Sequence, residues 1–232
     1  MITFIIPSHD QKEFLPEAIE SVLKQIGDNE LIIVDDGSTD SSLEIAQEAV
    51  RTFPGAFVIS QVNKGLASAR NTGLMNASPY SSWIWPLDAD DKLMDGAVEK
   101  MEKILKETDA DIIAPSFKTF GLSNQDLILM DNPKLEDFRA GNRISYFSVV
   151  RKRLLLEVGG YSPRMAQGYE DLHLWINLLT KGAKIATIKE PLAMYRTKEG
   201  SMWRNAREHH DALLAIINKD FPEAKLDFKY AS

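Results

Sequence analysis

The sequence predicts an α/β fold, with a mainly parallel central sheet flanked by helices, and three observations carry the prediction. Short apolar runs alternate with amphipathic stretches through the first half of the chain, the pattern of strands joined by covering helices. Polar clusters follow the first, second and fourth of these runs immediately, as expected where loops gather at the carboxyl ends of parallel strands. With 232 residues, 44% hydrophobic and 26% charged, the chain can bury a substantial core. There is no internal repeat, low-complexity tract or linker, so one domain over residues 1–232 is expected, regular in 1–114 and more variable in 115–232.

Thr3 to Ile6 reads as the first strand. Phe14, Ala18, Ile19, Val22, Leu23 and Ile26 then recur at helical spacing until Gly27 ends the helix. Leu31 to Val34 is the second strand, and Asp35-Asp36-Gly37-Ser38-Thr39-Asp40 is the turn and cap of a helix carried by Leu43, Ile45, Ala46, Ala49 and Val50. Phe57 to Ser60 makes the third strand, and Leu66 to Asn76 has helical character after Asn63-Lys64-Gly65. Trp83 to Leu87 is the fourth strand, with both tryptophans packing. A helix is expected through Leu93, Ala97, Val98, Met101, Ile104 and Leu105, and a fifth strand over Asp111 to Ala114. Beyond about Pro115 the pattern loosens, with a short strand at Leu127 to Met130. Strand character returns at Tyr146 to Val150, Lys184 to Ile188 and Leu192 to Arg196. Helices are expected at Arg153 to Val158, Leu172 to Leu179 and Trp203 to Asn218.

Composition excludes several classes. A formal net charge of −7 argues against the broad basic surface that non-specific nucleic-acid binding needs. With no cysteine there is no disulfide, thiolate nucleophile or Cys-type zinc site, which fits a reducing cytosol. No apolar run has membrane-spanning length, and Met1 to Ile6, broken by Pro7, His9 and Asp10, reads as a strand rather than a signal peptide. The expected location is therefore cytoplasmic. Arg139, Arg143, Arg151, Lys152, Arg153 and Arg164 concentrate positive charge in the second half. A solvated face is the default reading, and contact with the inner face of an anionic membrane is the alternative.

The chemistry concentrates where the fourth strand ends, in Asp88-Ala89-Asp90-Asp91. Alternate side chains of an extended segment share one side, so Asp88 and Asp90 can converge on one ion. Crowded carboxylates tolerate one another around a hard divalent cation, and all-oxygen ligands favour Mg²⁺ or Mn²⁺ over zinc. Such an ion keeps positions for water and phosphate oxygens, which suggests a nucleotide diphosphate as the remaining ligand. The competing structural reading has Asp90 or Asp91 capping the following helix. Pro7-Ser8-His9-Asp10, Asp35-Asp36-Gly37-Ser38 and Asn63-Lys64-Gly65 follow the other three strands, so four polar loops meet on one rim, as a nucleotide cleft would require. Asp36 suits a base or ribose, as a carboxylate accepts from a pyrimidine N–H or a sugar hydroxyl, while Asp35 braces the turn. Arg70 could reach a phosphate with its planar fork; a surface ion pair is its bland alternative.

Taken in order, these segments resemble the inverting family 2 glycosyltransferases of the GT-A fold, over nearly the whole chain. Phe4-Ile5-Ile6-Pro7-Ser8 is similar to the family's opening strand, and Ile32-Ile33-Val34-Asp35-Asp36-Gly37-Ser38-Thr39-Asp40 to its nucleotide signature. Asn63-Lys64-Gly65-Leu66-Ala67-Ser68-Ala69-Arg70-Asn71 resembles its next donor-side segment, and Leu87-Asp88-Ala89-Asp90-Asp91 its metal motif. Gly159-Gly160-Tyr161, then Gly168-Tyr169-Glu170-Asp171 and the helix through Trp175, resemble its acceptor-side motif.

The resemblance implies a donor half, 1–114, and an acceptor half, 115–232, with a C-terminal helix. Pro7, Ser8, Asp36, Lys64, Arg70 and Asp88 would bind a nucleotide-sugar donor, UDP-linked as the first guess. Asp90 with Asp88 would hold Mg²⁺ or Mn²⁺. Asp171 would be the base that deprotonates a glycan or lipid-linked acceptor in a single inverting displacement, with Glu170 and Trp175 in auxiliary roles. Several positions depart from the family. His9 and Asp10 replace the usual Tyr and Asn, His173 and Asn177 replace Asp and Arg, and Lys198 stands where many relatives have a histidine near the metal or diphosphate. A lysine there could pair with phosphate and weaken metal dependence, or be a solvated loop residue. Trp175 could stack on an acceptor sugar, although a core role is the commoner one. Adjacent His209 and His210 cannot face one another on a helix, so a surface role is expected.

Two other readings stand beside this one. A sugar nucleotidyltransferase would need a glycine-rich basic loop after the first strand, which Pro7-Ser8-His9-Asp10-Gln11-Lys12-Glu13 is not. A non-catalytic nucleotide-sugar-binding module would keep the cleft without turnover, and product formation discriminates it. Composition sets no oligomeric state.

Overall fold

A computed structural model describes residues 1–199 and 206–229. The first half alternates strand and helix as expected: β1 (Ile2–Ser8), α1 (Leu15–Leu23), β2 (Asn29–Asp35), α2 (Ser42–Val50), β3 (Ala56–Ser60), α3 (Leu66–Asn76) and β4 (Trp83–Pro86). Then come β5 (Lys92–Leu93), α4 (Ala97–Glu107), β6 (Ile112–Gly121), β7 (Asp126–Leu127), β8 (Val149–Arg151), α5 (Lys152–Glu157), α6 (Glu170–Thr180), β9 (Ile185–Thr197) and α7 (His210–Asp220). Short 3₁₀ turns lie at Leu135–Ala140 and Pro163–Met165.

One sheet runs in the order β3-β2-β1-β4-β8-β6-β9-β5, with β7 paired to β6. The four strands β3, β2, β1 and β4 are mutually parallel. β8 lies antiparallel to both β4 and β6, while β9 runs parallel to β6, so the sheet is mixed beyond β4. All seven residues of β1 are buried, as a strand covered on both faces must be. Its alternating side chains feed two cores. Ile5, with Ile32, Ile84, Ile112 and Val150, packs on the face that holds α3 and α6, and Phe4, with Ile33, Trp85, Ile113 and Val149, packs opposite. Trp85 stacks on Phe4 with ring centroids 5.1 Å apart, the packing role expected for that strand.

The sequence order reverses at β1, which sends β2 to one side and β4 to the other. In an open parallel sheet that reversal leaves a crevice at the carboxyl ends. Ser8 pairs with Asp35, and Ile5 with Pro86, so the loops after β1, β2 and β4 emerge together. α3 packs close over this point because Gly73 faces Ile5: a Cβ there would lie 2.5 Å from Ile5 Cγ2.

The second half corrects several expected boundaries. β6 continues past Pro115 to Gly121, and β9 is one strand through Pro191 rather than two. The register of the β6–β9 pair shifts on both sides of Ser116, and this bulge accommodates the missing proline donors. Leu93 sits in β5 and α4 begins only at Ala97, capped by Gly96, so neither Asp90 nor Asp91 caps that helix. The strand expected at Leu127 to Met130 reduces to Asp126–Leu127, and that at Tyr146 to Val150 moves to Val149–Arg151. The start of the expected last helix, Trp203 to Asn205, lies outside the described residues; α7 runs two residues beyond its expected end.

Candidate active site

Two adjoining cavities occupy the carboxyl rim. The first, of about 390 Å³, is lined by Pro7, Ser8, His9, Asp36, Asn63 and Gly65 from the first half, together with Asp88, Asp90, Arg196 and Lys198. The second, of about 470 Å³, is lined by Asn142, Tyr146, Glu170 and Asp171. Leu66, Asp88 and Tyr195 border both, so Asp88 stands between a cavity lined by Asp36 and Asp90 and one lined by Asp171. The expected split at 114/115 does not separate the two: β9 and the turn that follows it contribute Tyr195, Arg196 and Lys198 to the first cavity.

The loop after β2 is held by Asp36, which accepts the Lys64 and Gly65 backbone N–H groups at 2.9 and 2.7 Å and Gln61 Nε2 at 2.6 Å. Gln61 in turn accepts Thr72 Oγ1 at 2.6 Å, which ties the loop to α3. Asp36 therefore clamps the rim as well as lining it. The Lys64 side chain is exposed and absent from the cavity wall, which corrects its expected donor role: it contributes its backbone N–H, and Asn63 and Gly65 form the wall. The buried Ser8 hydroxyl lines the cavity and has no hydrogen-bond partner within the described chain.

Arg70 is a second correction. The guanidinium does not reach toward the cavity as a phosphate ligand; it is 1% exposed and spent internally. Nη2 donates to Asp88 Oδ1 and Nη1 to Glu170 Oε1, both at 2.7 Å. The fork lies 5.1 Å from the Tyr146 ring centroid and 5.2 Å from that of Tyr161. Arg70 thus fixes Asp88 on one wall and Glu170, the neighbour of Asp171, on the other. Tyr161 is held by Asn71, which accepts its N–H and donates to its carbonyl at 2.8 Å each.

The acidic cluster divides by environment. Asp88, Asp90 and Asp91 can each bring one oxygen within 4.8 Å of the others. Asp91 is buried and turned away: its Oδ1 accepts the Arg196 N–H at 2.6 Å and its Oδ2 the Tyr146 hydroxyl. Burial, then the neighbouring Asp90 and Asp88, push its carboxyl well above the usual range. Asp88 is pushed up to about 6, chiefly by burial, with Arg70 opposing. Asp90 faces the cavity, and its Oδ2 lies 2.8 Å from Lys198 Nζ. Asp88 and Asp90 both line the cavity, and the closeness of their oxygens makes this donor set fit a hard divalent cation.

Asp171 opens α6, behind Tyr169 in the left-handed region at φ 60°. Its Oδ1 accepts the Leu172 N–H at 2.7 Å and its Oδ2 accepts Asn142 Nδ2 at 2.8 Å. Burial, then the charge of Glu170, push its pKa up to about 7, overcoming those hydrogen bonds and Arg70. Trp175 is 0% exposed in the core beneath α6, so the expected stacking on an acceptor is corrected to packing. His210, expected at the surface, is half-buried: its ring nitrogens lie 2.7 Å from Tyr169 Oη and 2.7 Å from the Phe228 carbonyl. It anchors the start of α6, a role that adjacent histidines in a sequence do not reveal. Asn142, Tyr146, Gln61 and Tyr195 were likewise missed, being neutral residues in loops or strands without a motif of their own.

A Glycosyl transferase family 2 model matches residues 3–171. The chain belongs to that family. Among curated relatives, glycosyltransferase GlyG of Streptococcus pneumoniae is 28% identical over 88% of this chain and 73% of its own length. The putative teichuronic acid biosynthesis glycosyltransferase TuaG of Bacillus subtilis is 26% identical over 90% of this chain and 85% of its own. Residues 1–349 of S. aureus TarS, crystallised with UDP-GlcNAc, superpose with a TM-score of 0.79 at 18% identity, covering 94% of this chain and 66% of that one. The fold is therefore GT-A, with the sheet reversal and acidic loop described above. The chain spans just under two thirds of that TarS fragment and 17% of another relative, S. pneumoniae GlyA.

Proposed function

We propose that this family 2 glycosyltransferase moves a sugar from a UDP-sugar to a hydroxyl of a glycan or lipid-linked acceptor, in one inverting displacement. The observation that carries the reading is Asp171, a carboxylate with pKa about 7, on the wall of a cavity that meets, at Asp88, the one lined by Asp36, Asp90 and Ser8. A sugar hydroxyl is a poor nucleophile until a positioned base takes its proton, and a base that titrates near neutrality is matched to that task. Asn142 and the Leu172 N–H hold the carboxylate on that wall. The acceptor oxygen would attack the anomeric carbon from the Asp171 side as the bond to the diphosphate breaks on the Asp88–Asp90 side, so the anomeric configuration inverts. Asp88 and Asp90 would hold Mg²⁺ or Mn²⁺, which when bound neutralises the leaving diphosphate.

The Ser8 hydroxyl and Asp36 would receive the nucleoside. The UDP-GlcNAc held by TarS supports UDP as its base and phosphates. The teichuronic acid biosynthesis named for TuaG supports a cell-surface polymer as acceptor class. Asp171→Asn is expected to abolish transfer while UDP binding, read by thermal shift, stays within about threefold of the unmodified chain. Release of UDP from a panel of UDP-sugars separates an enzyme from a binding module, and full transfer by Asp171→Asn would remove the assigned base. No helix among the described residues is long and apolar enough to cross a bilayer. Lys152 is spent on the Ala77 and Ser78 carbonyls, Arg151 and Arg153 on Asp111, and Arg164 on Asp220.

A further inference from the structure

We propose that Lys198 is a resident cation of the acidic cluster, which competes with a divalent metal at Asp90 and lets a nucleoside diphosphate bind without one, the metal being needed only as the diphosphate leaves. The inference rests on the donor site proposed above, but its first test does not use a nucleotide. Lys198 Nζ lies 2.8 Å from Asp90 Oδ2, with the two side chains 28% and 25% exposed, so the pair is partly shielded from water. The ammonium also sits 4.5 Å from the centroid of the Phe14 ring, which directs the side chain over the cavity mouth. Its backbone is anchored close by, because Arg196 donates its N–H to Asp91 at 2.6 Å and Nε to the Asp90 carbonyl at 2.8 Å.

The charge balance of the cluster argues the same way. Crowded carboxylates recruit a divalent ion because their repulsion needs neutralising. Here Arg70 is shared between Asp88 and Glu170, Lys198 pairs with Asp90, and Asp91 is satisfied by Tyr146 and the Arg196 N–H, so a resident cation already stands at Asp90, the acid that faces the cavity. A metal at Asp90 would bind beside an ammonium already 2.8 Å from Asp90 Oδ2, against the repulsion of like charges a few ångströms apart. The ammonium carries three donors on a flexible stem and lines the cavity with Ser8 and Asp36, so it can hold Asp90 and a phosphate oxygen together.

The experiment compares the full chain with Lys198→Met, which keeps length without charge, and Lys198→Arg, which keeps charge. Free Mn²⁺ is titrated by electron paramagnetic resonance without nucleotide. Lys198→Met is expected to bind Mn²⁺ about tenfold more tightly than the unmodified chain, and Lys198→Arg to match it. Calorimetry with UDP follows. The unmodified chain is expected to bind UDP in EDTA within about threefold of its affinity in Mn²⁺, whereas Lys198→Met loses about tenfold in EDTA and regains it in Mn²⁺. Unchanged Mn²⁺ affinity in Lys198→Met overturns the proposal whatever UDP does. A strict Mn²⁺ requirement for UDP in the unmodified chain overturns the role of Lys198 but leaves the donor site standing. No UDP binding by any of the three proteins, with or without Mn²⁺, overturns the donor site itself.

Discussion

Two neighbouring carboxylates at the start of α6 have different fates, decided by what each touches. Glu170 pairs directly with buried Arg70, while Asp171 is hydrogen-bonded only to neutral donors, feels Arg70 from farther off and is repelled by Glu170. That difference suits Asp171 to the base role proposed above, and the proposal carries a pH dependence. The base must be ionised, so kcat/KM is expected to be half-maximal near pH 7 and to fall about tenfold per unit below it. A rate that is flat from about pH 5 to pH 8 would mean that another group takes the proton. In the sequence, Asp88 and Asp90 are conspicuous by their spacing after a strand, whereas Asp171 stands out only through the family resemblance. Sequence reasoning misread Arg70 because a basic residue on a helix near a phosphate site has two plausible targets. Only burial, with a carboxylate on each side, decides between them.

The elements show where a one-dimensional reading reaches and where it stops. β1 to β4 and their helices were legible because each strand is a short apolar run and each helix repeats its buried positions at local spacing. The β6–β9 pair was not, since Pro115 and Pro191 look like strand breaks until a bulge in the partner's register accommodates them. The 3₁₀ turn at Leu135–Ala140 leads into the loop that carries Asn142. It escaped because a single turn has no periodicity to detect. Gly159-Gly160-Tyr161 was recognised as a motif without its reason. Gly160 has φ 73°, and a Cβ there would lie 2.2 Å from the Asn71 Oδ1 that caps Tyr161. Gly160→Ala is expected to cost about 2–3 kcal/mol, read as a drop of about 4–10 °C in melting temperature. A variant that melts with the unmodified protein would show that the α3–α5 junction yields freely.

For the whole molecule, collecting acids in one hollow has a thermodynamic consequence. Asp88 and Asp171 have folded-state pKa values raised from 3.8 to about 6 and about 7. The folded state therefore binds more protons than the unfolded one across that interval, and the stability these groups contribute is lost as pH rises through their folded values. Glu17 and Asp220 act in the opposite sense. Held low by Lys92 and Arg196 in one case and by Arg164 and His173 in the other, they lose stability only as pH falls below the ordinary carboxylate range. The free enzyme should then be most stable near about pH 5, and its melting temperature should fall toward pH 8. Asp171→Asn is expected to flatten this slope and to melt about 4–8 °C higher at pH 8, on the order of 2 kcal/mol. Scanning calorimetry decides it: a melting temperature that rises from pH 5 to pH 8 would contradict the account.

The guanidinium of Arg70 joins Glu170, 100 positions along the chain, to Asp88, 18 positions along. Any chimera that grafts the second half of a relative onto this first half inherits that junction. An incoming glutamate finds its counterion waiting, whereas an incoming alanine strands a charge at the protein's centre. New acceptor preferences imported by such recombination would therefore arrive with a hidden entry condition at position 70.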